Sequence, residues 1–520
     1  MGGEAGGALR SVELLAALSL ATDLGTGQPL EHALRTGVLA VRLGGLAGVP
    51  ERELADAFHA ALLHSVGCTA DAHEAARLYG DDIAVRAAYA TVDGGRPAEV
   101  VGFLLRQAGA GAPPLRRAAL LAGALAEGPR RPRRALAAHC EVARRLAPRL
   151  GLGGGVGHAL GFVFERWDGK GFPAGAAGAA IPLAARLLHV ARDADVFRAQ
   201  AGAEAAAGVV AGRAGTAFDP ELAARFARHA GELFAELDGG SAWQAALAVE
   251  PGRPGLLAGD ALDEACAAVA DFADLKSPFT LGHSAGVAEL AEAAAWRLRL
   301  PPAEVAAVRR AGLLHDLGRV GVSNRVWDKP GPLSDGEWEQ VRLHPYYTER
   351  ALARSPALAP VGALAAGHHE RLDGSGYHRG VPAAQLGMPA RVLAAADVRQ
   401  ALSEARPHRP ALPPAAAAEA LAAEARAGRL DAEAVDAVLG ATGRRGGRRP
   451  WPAGLSEREV QVLRLLARGL SNKAIAARLG VAAKTVGHHV QHLYAKAGVS
   501  TRAGATLFAV EHDLLRDGDG

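Results

Sequence analysis

The sequence predicts an all-α protein built on a tandem duplication, with a small basic unit at its C-terminus. Apolar residues recur at helical spacing over most of the chain, as in VELLAALSLA, ELADAFHAALLH, VAELAEAAAWRLRL and VRRAGLLHDL, and sustained period-two alternation is hard to find. Two long segments read as copies of one another, the pattern that must be recognised before any fold is assigned. The third observation is charge. From residue 441 to the end there are 13 Lys and Arg against 6 Asp and Glu, whereas the other 440 residues carry 45 and 49. A basic excess confined to one small unit points to nucleic acid there and not elsewhere.

Composition sets the outer limits. A chain of 520 residues that is 49% hydrophobic and 22% charged is a multidomain globular protein and not a disordered one. Cys68, Cys140 and Cys266 are far apart and odd in number, which argues against a disulfide framework and fits a reducing cytoplasm. No apolar run reaches the roughly 18 residues of a spanning helix, and MGGEAGGALR lacks a signal-peptide pattern. The expectation is a cytoplasmic protein without a membrane segment. Turn-rich breaks fall at residues 109–114, 151–157, 251–255 and 443–454, and the last, with four arginines among glycines and prolines, reads as a flexible cationic linker.

Taken in order, the first copy opens with PLEHALRTGVLAVRL, which matches TLGHSAGVAELAEAA in the second, and AALLHSVG matches AGLLHDLG. His32 and His64 are 32 residues apart, as are His283 and His315. Further on, ERWDGKGFP matches ERLDGSGYH, and ARDADVF, with Asp195, matches AAADVRQ, with Asp397. The copies part at the chemistry. In the first, Ser65 follows the second histidine and Val163-Phe164 stand where the second has His368-His369, leaving only His32, His64 and Asp195. The first copy is expected to be a degenerate partner. A weaker reading places a separate metal site at His64 and Cys68, on one helical face with Asp71 and His73 nearby.

The second copy carries His283, His315, Asp316, His344, His368, His369 and Asp397. Five imidazoles and two carboxylates are too many for one tetrahedral zinc and suit a cluster of divalent cations. Two such ions sharing a carboxylate form a site that hydrolyses phosphate esters. The text around these residues, HDLGR, HHERLDGSGYHRG and AADV, resembles the HD-GYP family of metal-dependent phosphohydrolases over roughly residues 260 to 412. The resemblance implies that all seven side chains bind metal, with Asp316 bridging two ions as the central catalytic carboxylate. It favours iron or manganese over zinc. It also implies that Arg319, where the family has lysine, holds a phosphate oxygen. Tyr377 matches the tyrosine of the family signature, and Arg406 and Arg409 match a basic pair that reaches the second phosphate of a cyclic dinucleotide. Three departures stand out: His378 replaces the signature proline, Arg319 replaces lysine, and Phe279 stands where three-metal relatives carry a carboxylate. Two metals are therefore expected.

Residues 455–505 resemble the LuxR-type helix-turn-helix domain almost end to end. Ser456 followed by Glu459 is a capping box, Ser471 caps the next helix, and Gly480 supplies the turn. Val486, Val490, Leu493 and Ala497 form a buried stripe, and Lys484, Thr485, His488, His492 and Lys496 lie opposite, suited to a recognition helix in the major groove. Ala482 lacks the usual capping hydroxyl, and Gly487 stands where a basic residue is common. The expected organisation is a degenerate HD-like domain at 1–250, an HD-GYP-like domain at 251–440, a linker at 441–454 and a LuxR-type domain at 455–515. The expected function is hydrolysis of a cyclic dinucleotide, cyclic di-GMP first, by a homodimeric regulator that binds double-stranded DNA. The alternatives are a nucleotide-gated transcription factor with little turnover, and a phosphohydrolase of another nucleotide.

Overall fold

A computed structural model describes residues 8–128, 130–442 and 451–515. Among these residues the strands are Leu9–Arg10 and Leu256–Leu257, which pair antiparallel with Leu9 opposite Leu257; the remaining regular structure is helical. The expectation of an all-α chain holds. Two units divide the chain, Met1–Ala265 and Cys266–Gly520.

In the first unit, helix His32–Leu46 packs on helix Glu51–Leu63, and a 3₁₀ turn, Val66–Asp71, follows. Helix Leu183–Gly212, broken at Gly202 where φ is 88°, lies against both. The second unit repeats this arrangement with helices His283–Arg297 and Pro302–Leu314, the 3₁₀ turn Leu317–Gly321 and helix Met388–Leu402. In both units the histidine-bearing helix starts from a residue in the left-handed region, Glu31 at φ 70° and Gly282 at φ 76°. The core of the second copy is built from small and branched residues, among them Val287, Ala291, Val308, Ala311, Val392 and Leu393, so its helices approach closely.

Two sequence expectations need correction. Residues 154–157, read as part of a turn-rich break, belong to helix Gly154–Leu160, because Val156, Ala159 and Leu160 are buried and their packing overrides the poor propensity of glycine. His64 and Cys68 do not share one helical face: the helix ends at Leu63, and Asp71 is paired with Arg86 at 2.7 Å. Most of the basic linker, residues 443–450, lies outside the described residues.

Helices Glu457–Ala467, Asn472–Leu479, Ala483–Ala497 and Arg502–Glu511 enclose a separate apolar core of Val460, Leu463, Ile475, Val486 and Leu493 among others. Ser456 and Glu459 form the capping box, Ser471 caps through the Ala474 N–H, and Gly480 sits at φ 65°. Ala482 offers its helix no side-chain cap.

Candidate metal centre and DNA-reading helix

Four imidazoles of the second copy are held the same way round. His315, His344 and His368 each set Nδ1 against the backbone carbonyl three residues earlier, Gly312, Val341 and Ala365, at 2.8, 2.6 and 2.6 Å. His283 sets Nδ1 against Glu404 Oε2 at 2.9 Å. An Nδ1 that faces an oxygen carries the proton, which leaves Nε2 as the lone-pair atom. All four Nε2 atoms turn to one centre, and all four rings are buried to about 1% exposure or less.

At that centre lies Asp316, 1% exposed, in the turn that follows helix Pro302–Leu314. Its two oxygens face different partners. Oδ1 is 3.4 Å from His344 Nε2 and 3.8 Å from His368 Nε2, while Oδ2 is 3.5 Å from His315 Nε2 and 3.8 Å from His283 Nε2. Asp397, from helix Met388–Leu402, places Oδ1 3.2 Å from His283 and Oδ2 3.7 Å from His369. All seven residues singled out in the sequence therefore converge. Three sets could each hold an ion: His344, His368 and His369; His283, His315 and Asp397; and His315, Asp316 and His368.

The donor set suits divalent cations on two further grounds. His315 Nε2 is buried without a hydrogen-bond partner. His344 Nε2 and His368 Nε2 lie 3.1 Å apart, lone pair against lone pair, a contact that a cation relieves. Burial lowers His315, and it lowers His368 to about 3 with the help of neighbouring His315, so both stay neutral. His283 is the exception: burial lowers it, but the carboxylates of Glu404 and Asp397 on either side of its ring raise it to about 10. For Asp316 burial works the other way, yet Arg319, His315 and His344 hold the carboxyl well below the usual range, so it stays an anion. Asp397 is held low in the same manner by His283 and His369.

Around this centre Arg319 donates to Asp316 Oδ2 at 2.9 Å, and its guanidinium lies 3.9 Å above the ring of Trp327. Tyr377 stands 4.5 Å from the His369 ring, with its N–H bonded to the His369 carbonyl. Burial raises its phenol, so it remains a neutral donor. Arg406 reaches the Phe279 carbonyl at 3.3 Å and Glu404 Oε2 at 2.9 Å. Arg409 donates to the carbonyls of Glu404, Pro410 and Ala401. His378 lies beside Glu349, to which Arg379 is also bonded.

Sequence reasoning missed several participants. Glu370 pins the signature loop by accepting the N–H groups of Arg379 and Val381, as Glu165 does with Ala174 and Gly175 in the first copy. The shared ER-x-DG-x-G text carried that signal, and it explains why the text outlives the chemistry. Gly171 and Gly376 are shared for the same reason: a Cβ at either would strike the backbone of the loop. His139 was missed outright. A Cβ on Gly67 would meet the His139 carbonyl, as one on Gly318 would meet that of His344, so the two histidines occupy equivalent backbone positions. The count of three residual metal-type residues in the first copy, His32, His64 and Asp195, is thus one short. His139 nevertheless turns its Nε2 to the His64 carbonyl at 2.7 Å, and among the described residues the first copy assembles no metal set.

In the C-terminal domain, Lys484, Thr485, His488 and His492 are exposed along helix Ala483–Ala497. Lys496 is engaged within the domain: its Nζ donates to Glu459 Oε2 at 2.7 Å and to the Gly454 carbonyl at 3.0 Å. No helix of the described residues is long and apolar enough to cross a membrane.

Comparison with known proteins accords with this geometry. The HD-domain family model matches residues 130–222 and 267–434, and the model of bacterial regulatory proteins of the luxR family matches residues 453–509. Over 405 residues the chain is 33% identical to 3'3'-cGAMP-specific phosphodiesterase 3 of Vibrio cholerae, a match that spans 77% of this chain and 88% of that protein. A cyclic di-GMP phosphodiesterase of Pseudomonas aeruginosa is 39% identical over 132 residues, 25% of this chain and 32% of that protein. A crystal structure of a cyclic GMP-AMP-specific phosphodiesterase of V. cholerae superposes with a TM-score of 0.59 at 28% identity, covering 85% of this chain and 99% of that one. The chain belongs to the HD-domain family of metal-dependent phosphohydrolases and carries a LuxR-type DNA-binding domain at its C-terminus.

Proposed function

We propose that this protein hydrolyses a cyclic dinucleotide at a two-metal centre in its second HD copy and that the state of that centre governs DNA binding by the LuxR-type domain. The observation that carries the first half is the division of Asp316, whose two oxygens serve two separate groups of imidazole nitrogens. In this reading His283, His315 and Asp397 hold one ion, His344, His368 and His369 hold the other, and Asp316 bridges. Divalent ions so held supply Lewis acidity to a phosphodiester and lower the pKa of a nearby water. Iron or manganese suits a histidine and carboxylate set. A third ion is disfavoured, because the Arg406 guanidinium lies 3.5 Å from His283 Nδ1 and against the Phe279 carbonyl.

The chain's own groups grip the substrate. Arg319 has one arm on Asp316 and offers the rest of its guanidinium to a phosphate oxygen, with Trp327 fixing its plane. Tyr377 stands beside His369 and Arg406 beside His283, and Arg409 braces the loop that carries Arg406. The relative that covers most of this chain is named for 3'3'-cGAMP, and shorter matches are named for cyclic di-GMP. We place 3'3'-cGAMP first and cyclic di-GMP second. We draw the domains at 1–265, 266–440 and 455–515, later at the first boundary than the expected 250, because strand Leu256–Leu257 pairs with Leu9–Arg10; a linker at 441–454 joins the last two. The active species is a homodimer, since one small DNA-reading domain buries too little surface for useful affinity and two read half-sites about one helical turn apart.

The test is direct. Protein purified without oxygen and loaded with iron or manganese is incubated with a panel of cyclic and linear nucleotides. Linear dinucleotide from 3'3'-cGAMP or cyclic di-GMP, abolished in Asp316→Ala, is expected. Tight binding without cleavage makes the protein a nucleotide-gated regulator instead. Selection from random DNA tests the second half. Lys484→Ala and Thr485→Ala are expected to change the preferred sequence, and a domain with only salt-sensitive, sequence-blind binding defeats the proposal.

A further inference from the structure

The ring of His283 has a problem its fellow histidines lack. His315, His344 and His368 find an acceptor for Nδ1 in their own chain, at the carbonyl three residues back. His283 opens its helix, and its Nδ1 does not turn back to the Thr280 carbonyl three residues earlier, which accepts its backbone N–H at 2.9 Å. Its Nδ1 takes an acceptor from elsewhere in the fold, Glu404, at 2.9 Å from the loop after helix Met388–Leu402. The same oxygen, Oε2, accepts from Arg406 Nη2 at 2.9 Å, while Oε1 accepts from Gln400 at 2.8 Å. One carboxylate thus ties a ring of the candidate metal centre to the arginine that the proposed function assigns to a substrate phosphate.

The first copy provides the control within the same chain. Glu404 lies seven residues after Asp397, and the residue seven after Asp195 is Gly202, which has no side chain to offer. There the ring of His32 is the other way round: its Nδ1, not its Nε2, faces the aspartate, 2.8 Å from Asp195 Oδ2. In the second copy it is His283 Nε2 that faces Asp397, at 3.2 Å.

We propose that Glu404 is a positioning residue that orients His283 Nε2 toward the metal centre and at the same time sets Arg406 for a substrate phosphate, so that metal binding and substrate affinity depend on one side chain. The proposal rests on the reading of His283 as a metal ligand and Arg406 as a phosphate contact. A carboxylate behind a ligating histidine fixes tautomer and ring orientation, and its loss weakens metal binding about 10- to 100-fold.

The experiment uses the full chain with Mn²⁺ as the titrant. Glu404→Ala is expected to weaken Mn²⁺ binding about 10- to 100-fold and to raise KM for the cyclic dinucleotide measured at saturating metal. Glu404→Gln keeps an acceptor for His283 but loses the charge that holds Arg406. It is expected to bind Mn²⁺ within about threefold of wild type while KM still rises. Imidazole ¹⁵N shifts supply a readout that a purely structural role would not move. His283 is expected to carry its proton on Nδ1 in the wild type and to lose that preference in Glu404→Ala. Unchanged metal affinity with unchanged KM in Glu404→Ala overturns the proposal, and so does a change in only one of the two. A wild-type chain that binds no Mn²⁺, or an Asp316→Ala chain that binds it as tightly as wild type, overturns the metal reading itself and this inference with it.

Discussion

The two HD copies bury an aspartate at the same place and surround it with different cations. In the first, Asp195 meets Arg35 Nε and His32 Nδ1 at 2.8 Å and Arg198 at 3.5 Å. In the second, Asp397 faces His283, His369 and His315 at 3.2, 3.7 and 3.9 Å, and Gly286 and Gln400 stand where Arg35 and Arg198 stand in the first. One copy neutralises its carboxylate with covalently fixed guanidinium groups. The other leaves it to three imidazoles, of which His283 is raised to about 10 by the carboxylates beside it while burial lowers His315 and His369, and among the described residues no guanidinium is fixed on it. A buried charge has to be compensated in either case. Under the proposed function, arginine takes over in the first copy the electrostatic role that metal ions have in the second, and the fold keeps its buried aspartate in both.

The sharpest way to break this comparison is to remove one buried carboxylate from each copy. Asp316→Ala is expected to lose most bound metal and to lower turnover by at least about a thousandfold, equivalent to ~4 kcal/mol of barrier. Asp195→Ala is expected to leave metal content unchanged and to destabilise the first unit by about 3 kcal/mol or more, because it strands Arg35 and His32 without their buried partner. Metal analysis after anaerobic purification, beside thermal unfolding, reads both. Equal metal loss from the two variants contradicts the division of labour.

A conversion tests the same point from the other side. Gly286→Arg combined with Gln400→Arg gives the second copy the cations of the first. A Cβ on Gly286 would press on the end of the Gln400 side chain, so the two changes belong together. A fixed positive charge ~4 Å from a bound ion costs about 4 kcal/mol per unit charge at an effective dielectric of 20. Metal affinity is expected to fall by about a hundredfold or more while the helical circular dichroism is kept. A converted copy that still binds two ions shows that the arginines are bystanders.

Much of this was legible in the sequence, for identifiable reasons. Helix periodicity survives in small, apolar stretches, so the all-α fold and its duplication could be read directly. The seven metal-type residues could be read because histidine and aspartate pairs are rare in such company. What escaped was whatever depends on distance in the fold. Glu404 sits in SEARP, where a lone glutamate looks solvated, and only the packed structure brings it to His283. His139 was hidden because four helices between Ala72 and Glu127 separate it from His64 by 75 residues, against 29 between His315 and His344. Lys496 reads as a phosphate contact on a helical wheel, but Glu459 had claimed it through the capping box of another helix.

Acid gives a graded version of the contrast, because the first copy holds neutral histidines without a metal to protect them. Burial lowers His139 and His189 to about 4 from the usual 6.5, each with its Nε2 bonded to a backbone carbonyl. The unfolded chain therefore binds protons more readily than the folded one between those two values, and stability falls as pH drops through that window. Each residue is expected to cost the first unit about 2 kcal/mol between pH 7.5 and pH 5. Hydrogen exchange at residues 32–64 should show this loss, and His139→Gln with His189→Gln should reduce it, the remainder coming from His64 and His59, which burial also lowers. A first unit equally protected at both pH values means that these rings are not held neutral.

The smallest expected effect is also the most pointed. Ser65→Asp restores to the first copy the carboxylate that the second has at Asp316, and it is expected to bring no metal with it. Ser65 is buried, so the new charge needs a partner, but the neighbouring donors are spent. His64 Nδ1 faces the Ala61 carbonyl, His139 Nε2 is bonded to the His64 carbonyl, and His32 Nδ1 lies on Asp195. Val163 and Phe164 offer no lone pairs where His368 and His369 stand in the second copy. The aspartate is expected to stay protonated well above the normal carboxylate range, since desolvation favours the neutral acid. Metal per chain should match that of the parent protein within error, in a background where Asp316→Ala has emptied the second copy. Any stoichiometric gain of metal there shows that a single carboxylate, and not the fixed arginines, was what separated the two copies.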